Sequence, residues 1–188
     1  MKEQVIQAAV EEMKLHALKF TMADMARRLR MSKSSLYKFV ASKDELVALV
    51  IHFVMDGFDR KAEVILKKEG STDEKVAALI QAYTETVSAF GSGVCRDLEL
   101  LYPDLAAEWK TFQRAKVDMC MASFQEGMDR GEYRRVNLTV LRQSLFAALE
   151  SLGDARFLDE AGLSYSQAIR SLGDILLNGL RRRQEESK

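Results

Sequence analysis

The sequence of 188 residues has few of the residues that break helices and few of those that bind metals. It contains one proline, Pro103, ten glycines, two cysteines and two histidines. Long apolar patterns that repeat every 3.6 residues, with almost no strand-like alternation, predict an all-α fold. The cysteines and histidines give no metal-ligand spacing and no disulfide framework. No metal or cofactor is therefore predicted, and a reducing, cytoplasmic location is favoured.

The sequence also lacks a long hydrophobic segment. Its longest nearly unbroken apolar run, Leu46 to Met55, is much shorter than the roughly 18 residues that a membrane-spanning helix needs. The N-terminus interleaves charged and apolar residues, so neither a signal peptide nor a membrane partner is predicted. Hydrophobic residues make up 47% of the chain, which is enough for a sizeable core in one or two compact domains.

Acidic residues are absent from one stretch. The chain has 28 basic and 28 acidic residues, yet six basic and no acidic side chains lie between Asp24 and Asp44. Residues 1 to 47 hold nine basic and six acidic residues, so the remainder of the chain is slightly acidic. This division predicts that the N-terminal end faces a polyanion.

Apolar periodicity and helix-start signals predict nine helices. Thr21, Ser42 and Ser71 are each followed three residues later by an acidic residue, which is typical of a capping box. The predicted helices cover residues 3 to 17, 22 to 29, 33 to 39, 43 to 69, 73 to 90, 94 to 101, 104 to 130, 138 to 157 and 165 to 183.

Residues 21 to 46 predict a helix-turn-helix unit. Two short helices are joined by Arg30 and Met31, and Ser32 would cap the second helix. The apolar faces of the two short helices, which would pack on Val5, Ala9 and Met13 of the first helix, comprise Met22, Met25, Ala26, Leu29, Leu36 and Val40.

The outward face of this unit would carry hydrogen-bond donors. Lysines, hydroxyls and a tyrosine can bind phosphates and the edges of bases in a major groove, and acidic residues there would repel phosphate. The alternative is an ordinary solvated basic face on a helical bundle. The residues predicted to contact DNA are Arg27, Arg28, Lys33, Ser34, Ser35, Tyr37, Lys38 and Lys43.

These residues resemble the N-terminal signature of the TetR-type family of bacterial transcriptional regulators. The family pattern has paired alanines in a first helix, Thr-x-x-Asp-Ile-Ala, a turn, Val-Ser-x-x-x-Leu-Tyr-x-x-Phe and Ser-Lys-Glu-x-Leu. The chain shows Ala8-Ala9, Thr21-Met22-Ala23-Asp24-Met25-Ala26, Met31-Ser32-Lys33-Ser34-Ser35-Leu36-Tyr37 and Ser42-Lys43-Asp44-Glu45-Leu46. Farther along, only the stretch from residue 127 to 134, GMDRGEYR, is similar to the family.

The sequence departs from the family pattern at three places. Arg30 stands where the family commonly has glycine in the turn, so either backbone strain is accepted there or the turn differs. No glycine closes the first helix, which ends in Leu15-His16-Ala17, and Val40-Ala41 replaces the usual Phe-Pro.

The resemblance implies a division of labour along the chain. Residues 1–46 would form the DNA-binding domain, and residues 47–188 would form a ligand-binding and dimerisation domain. The implied function is that of a repressor that binds a palindromic DNA operator as a homodimer and is released by a small apolar or amphipathic effector. By the same resemblance, Tyr37 and Lys43 would contact phosphates, and Ser34 and Ser35 would reach base edges.

The last two predicted helices are apolar around more than half of their circumference. Such helices are buried on two sides, so they could face both their own core and a partner subunit. A fully buried monomer core is the alternative. The predicted dimer interface comprises Leu145, Leu149, Leu152, Leu172, Leu176 and Leu180.

Aromatic and flexible methionine side chains in the middle of the chain could enclose an apolar effector pocket. Ordinary core packing is the alternative, and Arg96, Asp97 and Glu99 are either ligand-orienting groups or an exposed helical charge cluster. The predicted pocket residues are Tyr83, Phe90, Tyr102, Trp109, Phe112, Cys120, Met121 and Phe124.

Two other functional classes are the alternatives to a DNA-binding regulator. An enzyme would need a nucleophile and a base. Cys95, Cys120, His16 and His52 could be imagined in these roles and carboxylates are plentiful, but the sequence has no nucleophile elbow, phosphate-binding glycine loop or helix-borne metal motif. The chain is therefore not predicted to be an enzyme. A helical protein-interaction module, in which the helix-turn-helix no longer binds DNA, remains the alternative, as does a regulator that activates or has no effector.

Overall fold

The computed structural model describes residues 1–88 and 93–181, and in these residues the secondary structure is helical, with no strand. The predicted all-α fold is confirmed. A 3-10 turn, Ala17–Lys19, follows the first helix. The ten α-helices are α1 (Lys2–His16), α2 (Met22–Arg28), α3 (Lys33–Leu36), α4 (Lys43–Lys67), α5 (Thr72–Val87), α6 (Val94–Leu101), α7 (Pro103–Asp129), α8 (Leu138–Leu152), α9 (Ala155–Ala161) and α10 (Tyr165–Leu180).

The prediction of nine helices was wrong at one place, because the predicted helix from residue 138 to 157 is two helices. The first of them ends at Leu152, and Asp154 begins the second by accepting a hydrogen bond from the backbone N–H of Phe157 at 2.9 Å. The Gly153-Asp154 pair is itself a stop-and-start signal, since glycine commonly follows a helix and aspartate commonly caps the next. Helix α3 is also shorter than predicted and continues as hydrogen-bonded turns to Val40.

The predicted caps form the helix starts of the N-terminal unit. Thr21 and Asp24 make a complete capping box, as Ser71 does with Glu74 farther along the chain. At Ser42 only half of the box is present, because the Glu45 carboxylate accepts from the backbone N–H of Ala41 instead. These caps fix where α2, α4 and α5 begin.

One hydrophobic core joins the N-terminal unit to the body of the molecule. Leu36 and Val40 are buried in the same cluster as the first helix and as α4 to α7, α9 and α10. A second cluster lies between the far half of α7, α8 and α10. Helix α4 is a single continuous helix that begins in the N-terminal unit and ends in the C-terminal helices.

The segment after α7 is held against the ends of α5 and α10. The Tyr133 hydroxyl donates to Asp73 at 3.2 Å, and Arg181 donates to both oxygens of the same carboxylate at 3.0 Å. Gly127 allows the Tyr133 ring to lie directly on α7. Within the described residues, no helix is both long and apolar enough to cross a membrane.

Candidate nucleic-acid interface and ligand cleft

The outer side of α3 and the turn after it carries the predicted donors. Lys33, Ser34 and Lys38 are exposed, and Tyr37 keeps 48% of its surface accessible. They point outward because Leu36, on the opposite side of the helix, is fully buried. The arrangement is a convex, basic face without a carboxylate, suited to a groove lined with phosphates.

The serine hydroxyls at the start of α3 are hydrogen-bonded to one another. Ser32 Oγ accepts from the backbone N–H of Ser35 and lies 2.9 Å from the hydroxyl oxygens of both Ser34 and Ser35. Ser34 is exposed and Ser35 half-buried. The cap therefore fixes where both predicted base-reading hydroxyls lie.

The two predicted arginine contacts on α2 have different surroundings. Arg27 is exposed and pairs with Asp24, whose pKa is lowered by hydrogen bonds from Thr21 and then by Arg27. Arg28 Nε lies 2.6 Å from a carboxylate oxygen of Glu12, a buried residue of α1. Arg28 thus joins α2 to α1, whereas the ion pair of Arg27 stays within α2.

The backbone at Arg30 decides between the two alternatives for the turn, backbone strain or a different turn conformation. Its φ is 53°, in the left-handed region that favours glycine, so the turn keeps its shape and accepts the strain. Ala17, at the end of α1 where the family pattern also has glycine, has a φ of 48°.

Lys43 is turned toward the protein. Its ammonium donates to the backbone carbonyl of Leu18 at 2.6 Å and lies 5.1 Å from the centre of the Phe20 ring. The N–H of the same Leu18 donates to a carboxylate oxygen of Asp97 at 3.2 Å. A polar path therefore connects α6, the 3-10 turn and the first residue of α4.

The role of Asp97 was not predicted from the sequence, which favoured an exposed helical charge cluster. Asp97 is only 4% exposed. A signal for its burial exists, because Val94 lies three residues before it and therefore on the same side of the helix.

A cleft of about 820 Å³ opens beside α6. Two of its lining residues, Gln113 and Tyr165, belong to a buried polar cluster in which Gln113 Nε2 donates to the hydroxyl oxygens of Tyr83 and Tyr165, each at 3.1 Å. Burial raises the pKa of both phenols, that of Tyr83 to about 12, so they stay neutral. The lining residues are Cys95, Arg96, Leu98, Glu99, Ala106, Trp109, Lys110, Gln113, Leu149, Glu150, Gly153, Asp154, Arg156, Asp159, Glu160 and Tyr165.

The predicted pocket residues do not line one cavity. Of the described ones, Trp109 lines the large cleft, and Tyr83 and Cys120 line a separate apolar crevice of about 80 Å³. Phe112 is packed in the core against Phe58 and Trp109. Met121 and Phe124 belong to the second core cluster, the Tyr102 hydroxyl donates to Asp44, and Phe90 lies outside the described residues.

The two cysteines are not activated as nucleophiles. Burial raises the pKa of both the Cys95 and the Cys120 thiol to about 11, so each remains protonated at neutral pH. His52 is exposed and pairs with Glu108 at 2.7 Å, on the surface between α4 and α7. In the described part of the chain, no group of three or more histidine, cysteine or carboxylate side chains could hold a metal ion.

The predicted interface residues on α8 and α10 fall into two groups. Leu145 and Leu180 are buried within the chain, whereas Leu149, Leu152, Leu172 and Leu176 are half-buried. Helix α10 packs closely on α5 through Gly173, which faces Ile80. Ile175, on another side of α10, keeps 69% of its surface exposed.

The sequence is similar to that of one curated transcriptional regulator. No family model matches the sequence. YvaF of Bacillus subtilis (strain 168), an uncharacterized HTH-type transcriptional regulator, is 20% identical over 181 residues, which cover 96% of this chain and 95% of that protein.

Solved structures of regulators match nearly the whole chain. A regulator of the TetR/AcrR family from Thermobifida fusca is 24% identical, with a TM-score of 0.66, and the match covers 96% of this chain and 98% of that one. A TetR family regulator from Agrobacterium tumefaciens is 14% identical, with a TM-score of 0.74 and coverages of 96% and 97%. The fatty acid degradation regulator FadR of Bacillus halodurans is 17% identical, with a TM-score of 0.68 and 97% of each chain covered.

The chain therefore has the all-helical fold of TetR/AcrR-type transcriptional regulators, and the resemblance predicted from residues 21 to 46 is confirmed.

Proposed function

We propose that this protein is a sequence-specific DNA-binding transcriptional regulator that binds a palindromic operator as a homodimer. The observation that carries the proposal is the convex basic face of α3, where Lys33, Ser34, Tyr37 and Lys38 are exposed and no carboxylate intervenes. The match to regulators over nearly the whole chain supports it.

Dimerisation is expected because one helix-turn-helix unit is small. One helix-turn-helix contacts only a half-site, and useful specificity normally needs two units about 34 Å apart on one face of the DNA. The half-buried leucines of α8 and α10, together with exposed Ile175, offer an apolar surface for a second copy. In this proposal the two helices from each subunit form a four-helix interface.

The proposal includes release by a small molecule that enters the cleft beside α6. Residues 95, 96, 98 and 99 of α6 line that cleft, while Asp97 between them holds Leu18. A ligand that moves α6 would therefore act on Leu18, whose carbonyl binds Lys43 at the start of α4. A ligand can shift the balance between two conformations only if it binds one of them more tightly. A ligand that binds one position of α6 more tightly than another would meet this condition, and the contacts of Leu18 would connect that position to the start of α4.

The test is selection of duplexes from a random pool with the full chain, followed by titration of the selected site at several salt concentrations. We expect a palindromic site whose affinity falls steeply with salt, because each phosphate contact releases counterions. In the Lys33→Ala/Lys38→Ala variant, log K should fall less steeply with log salt, and the magnitude of the slope should decrease by up to about four for a dimer.

The matched control is Lys67→Ala/Lys68→Ala, which removes two exposed lysines at the far end of α4. It should leave the slope unchanged. If no DNA sequence is enriched even at low salt, sequence-specific DNA binding is refuted, and a protein partner is favoured for the same fold.

A further inference from the structure

The cleft beside α6 has the dimensions of a small-molecule site. At about 820 Å³ it lies within the range of roughly 300 to 1,000 Å³ that ligand pockets occupy. Its walls come from α6, α7, α8, α9 and the start of α10, and part of its surface is apolar, with Leu98, Trp109 and Leu149 among the lining residues.

The charges that line the cleft are unbalanced. Three basic side chains face five carboxylates, and two of the three basic groups already lie beside a carboxylate. Lys110 Nζ is 2.8 Å from Glu99, and Arg96 Nε is 3.6 Å from buried Asp97. Among the described residues, four carboxylates and one basic group line the cleft without an ion pair, namely Glu150, Asp154, Asp159 and Glu160 against Arg156. The cleft therefore has a negative potential that favours a cation.

A buried polar group adds a hydrogen-bond acceptor. Gln113 lines the cleft and is 8% exposed. Its Nε2 is used by the hydroxyl oxygens of Tyr83 and Tyr165, and its carbonyl oxygen has no hydrogen-bond partner in the described part of the chain. Among the described residues only Thr72 Oγ1 is a fully buried side-chain nitrogen or oxygen atom without a partner, so the Gln113 oxygen keeps some accessible surface. A ligand in the cleft that donates an N–H or O–H can therefore reach it.

A smaller crevice next to the cleft has the opposite charge. It shares Lys110, Gln113 and Glu150 with the cleft and adds Arg114 and Arg142. Arg142 is bonded to both oxygens of Asp118, at 2.5 and 3.1 Å, so its charge is already compensated. An anionic ligand would have to depend on Arg114 and displace existing pairs.

We propose that the cleft beside α6 binds an organic cation with an aromatic or aliphatic body. The body would lie against Trp109 and Leu149, and the positive charge would face the carboxylates of Glu150, Asp159 and Glu160. This inference deepens the proposed function, on which it rests for its biological role, because it names the chemical class of the effector.

The test compares two probes of nearly the same shape and opposite charge, tetraphenylphosphonium and tetraphenylborate, by calorimetric titration of the full chain. We expect the phosphonium to bind at least about tenfold more tightly, because each uncompensated carboxylate attracts it and repels the borate. Asp159→Asn/Glu160→Gln should lower phosphonium affinity by about tenfold and narrow the difference between the probes.

The control is Asp56→Asn/Glu69→Gln, which removes the same charge from exposed positions that do not line the cleft. It should leave both affinities unchanged. Tighter binding of the borate, binding of neither probe, or an equal effect of both variant pairs would overturn the inference. Since the titration contains no DNA, its failure is distinct from a failure of operator binding.

Discussion

At the scale of single residues, Arg30 is a point of backbone strain in the candidate DNA-binding unit. Its φ of 53° is costly for any residue with a Cβ, and the side chain is exposed. The charge and the strain can be separated, because alanine removes the charge but keeps the Cβ, whereas glycine removes both.

We therefore predict that Arg30→Gly stabilises the protein by about 1 kcal/mol relative to Arg30→Ala. Both substitutions should reduce DNA affinity to a similar degree if Arg30 contributes only its charge. Urea unfolding gives the first comparison and a DNA titration the second. Equal stabilities for the two variants would mean that the turn can relax without cost.

Tyr83 predicts how stability depends on alkaline pH. Burial raises its pKa from 10.0 to about 12. Between these two values the unfolded chain loses the phenolic proton while the folded chain keeps it, so stability falls as pH rises from about 10 to about 12.

Tyr83→Phe removes this titration and should make the fall shallower above pH 10. At neutral pH the variant should be less stable by about 1 kcal/mol, because the hydrogen bond from Gln113 is lost. Urea unfolding of both proteins from pH 8 to 11 measures the two effects. An unchanged slope above pH 10 would contradict the buried, neutral phenol.

At the scale of elements, the segment after α7 depends on the absence of a side chain at Gly127. A Cβ there would lie 2.4 Å from Tyr133 Cδ2, and the Tyr133 ring is buried. The ring could not give way without breaking its hydrogen bond to Asp73, which also binds Arg181.

We expect Gly127→Ala to destabilise the protein by about 2 kcal/mol through this overlap. Gly179→Ala is the matched control, because a Cβ at that helical position meets nothing within 4 Å. The control should be neutral or stabilising by up to about 1 kcal/mol, as alanine favours helix. Thermal or urea unfolding measures both, and similar values for the two variants would disprove the role of the Tyr133 contact.

The contacts of Lys43 also belong to this scale, because they join three elements. Its ammonium binds the turn after α1, and the same turn is held by Asp97 of α6. If Lys43 contacts phosphate in a DNA complex, as the resemblance implies, it must leave the Leu18 carbonyl.

At the scale of the whole molecule, the proposed dimer requires the exposed apolar residues of α10 to face a second copy. Ile175 is the most exposed large hydrophobic residue on that helix. An aspartate at its position would place a charge in the proposed interface, where association would remove it from water.

Ile175→Asp should therefore yield a monomer at micromolar concentration and lower operator affinity by at least about a hundredfold, because the two half-sites would no longer be bound together. Val64→Asp, at an exposed apolar position on α4, should change neither property. Sedimentation and DNA titration give the two readings. A dimer that survives Ile175→Asp would exclude this face of α10.

Local features of the chain were predictable from the sequence alone. The 3.6-residue periodicity indicated the helices, and capping residues such as Thr21 and Ser71 marked where they start, because both signals act between residues at most four apart. The helix-turn-helix and the hydrogen-bond donors on its outer side could be predicted for the same reason, because their pattern is contained in a short stretch of sequence. The break at Gly153 and Asp154 was present in the sequence as well, and its two residues carry an ordinary stop-and-start signal.

Only the tertiary structure decided what depends on distant residues. The cleft joins Cys95 to Tyr165, and the link from Asp97 to Leu18 spans 79 positions. The direction of the Lys43 ammonium and the pairing of Arg28 with Glu12 likewise depend on how α1 packs against its neighbours. Periodicity shows that a side is buried, but it does not show what covers it, since packing partners are chosen by the shape and charge of surfaces far apart in the chain.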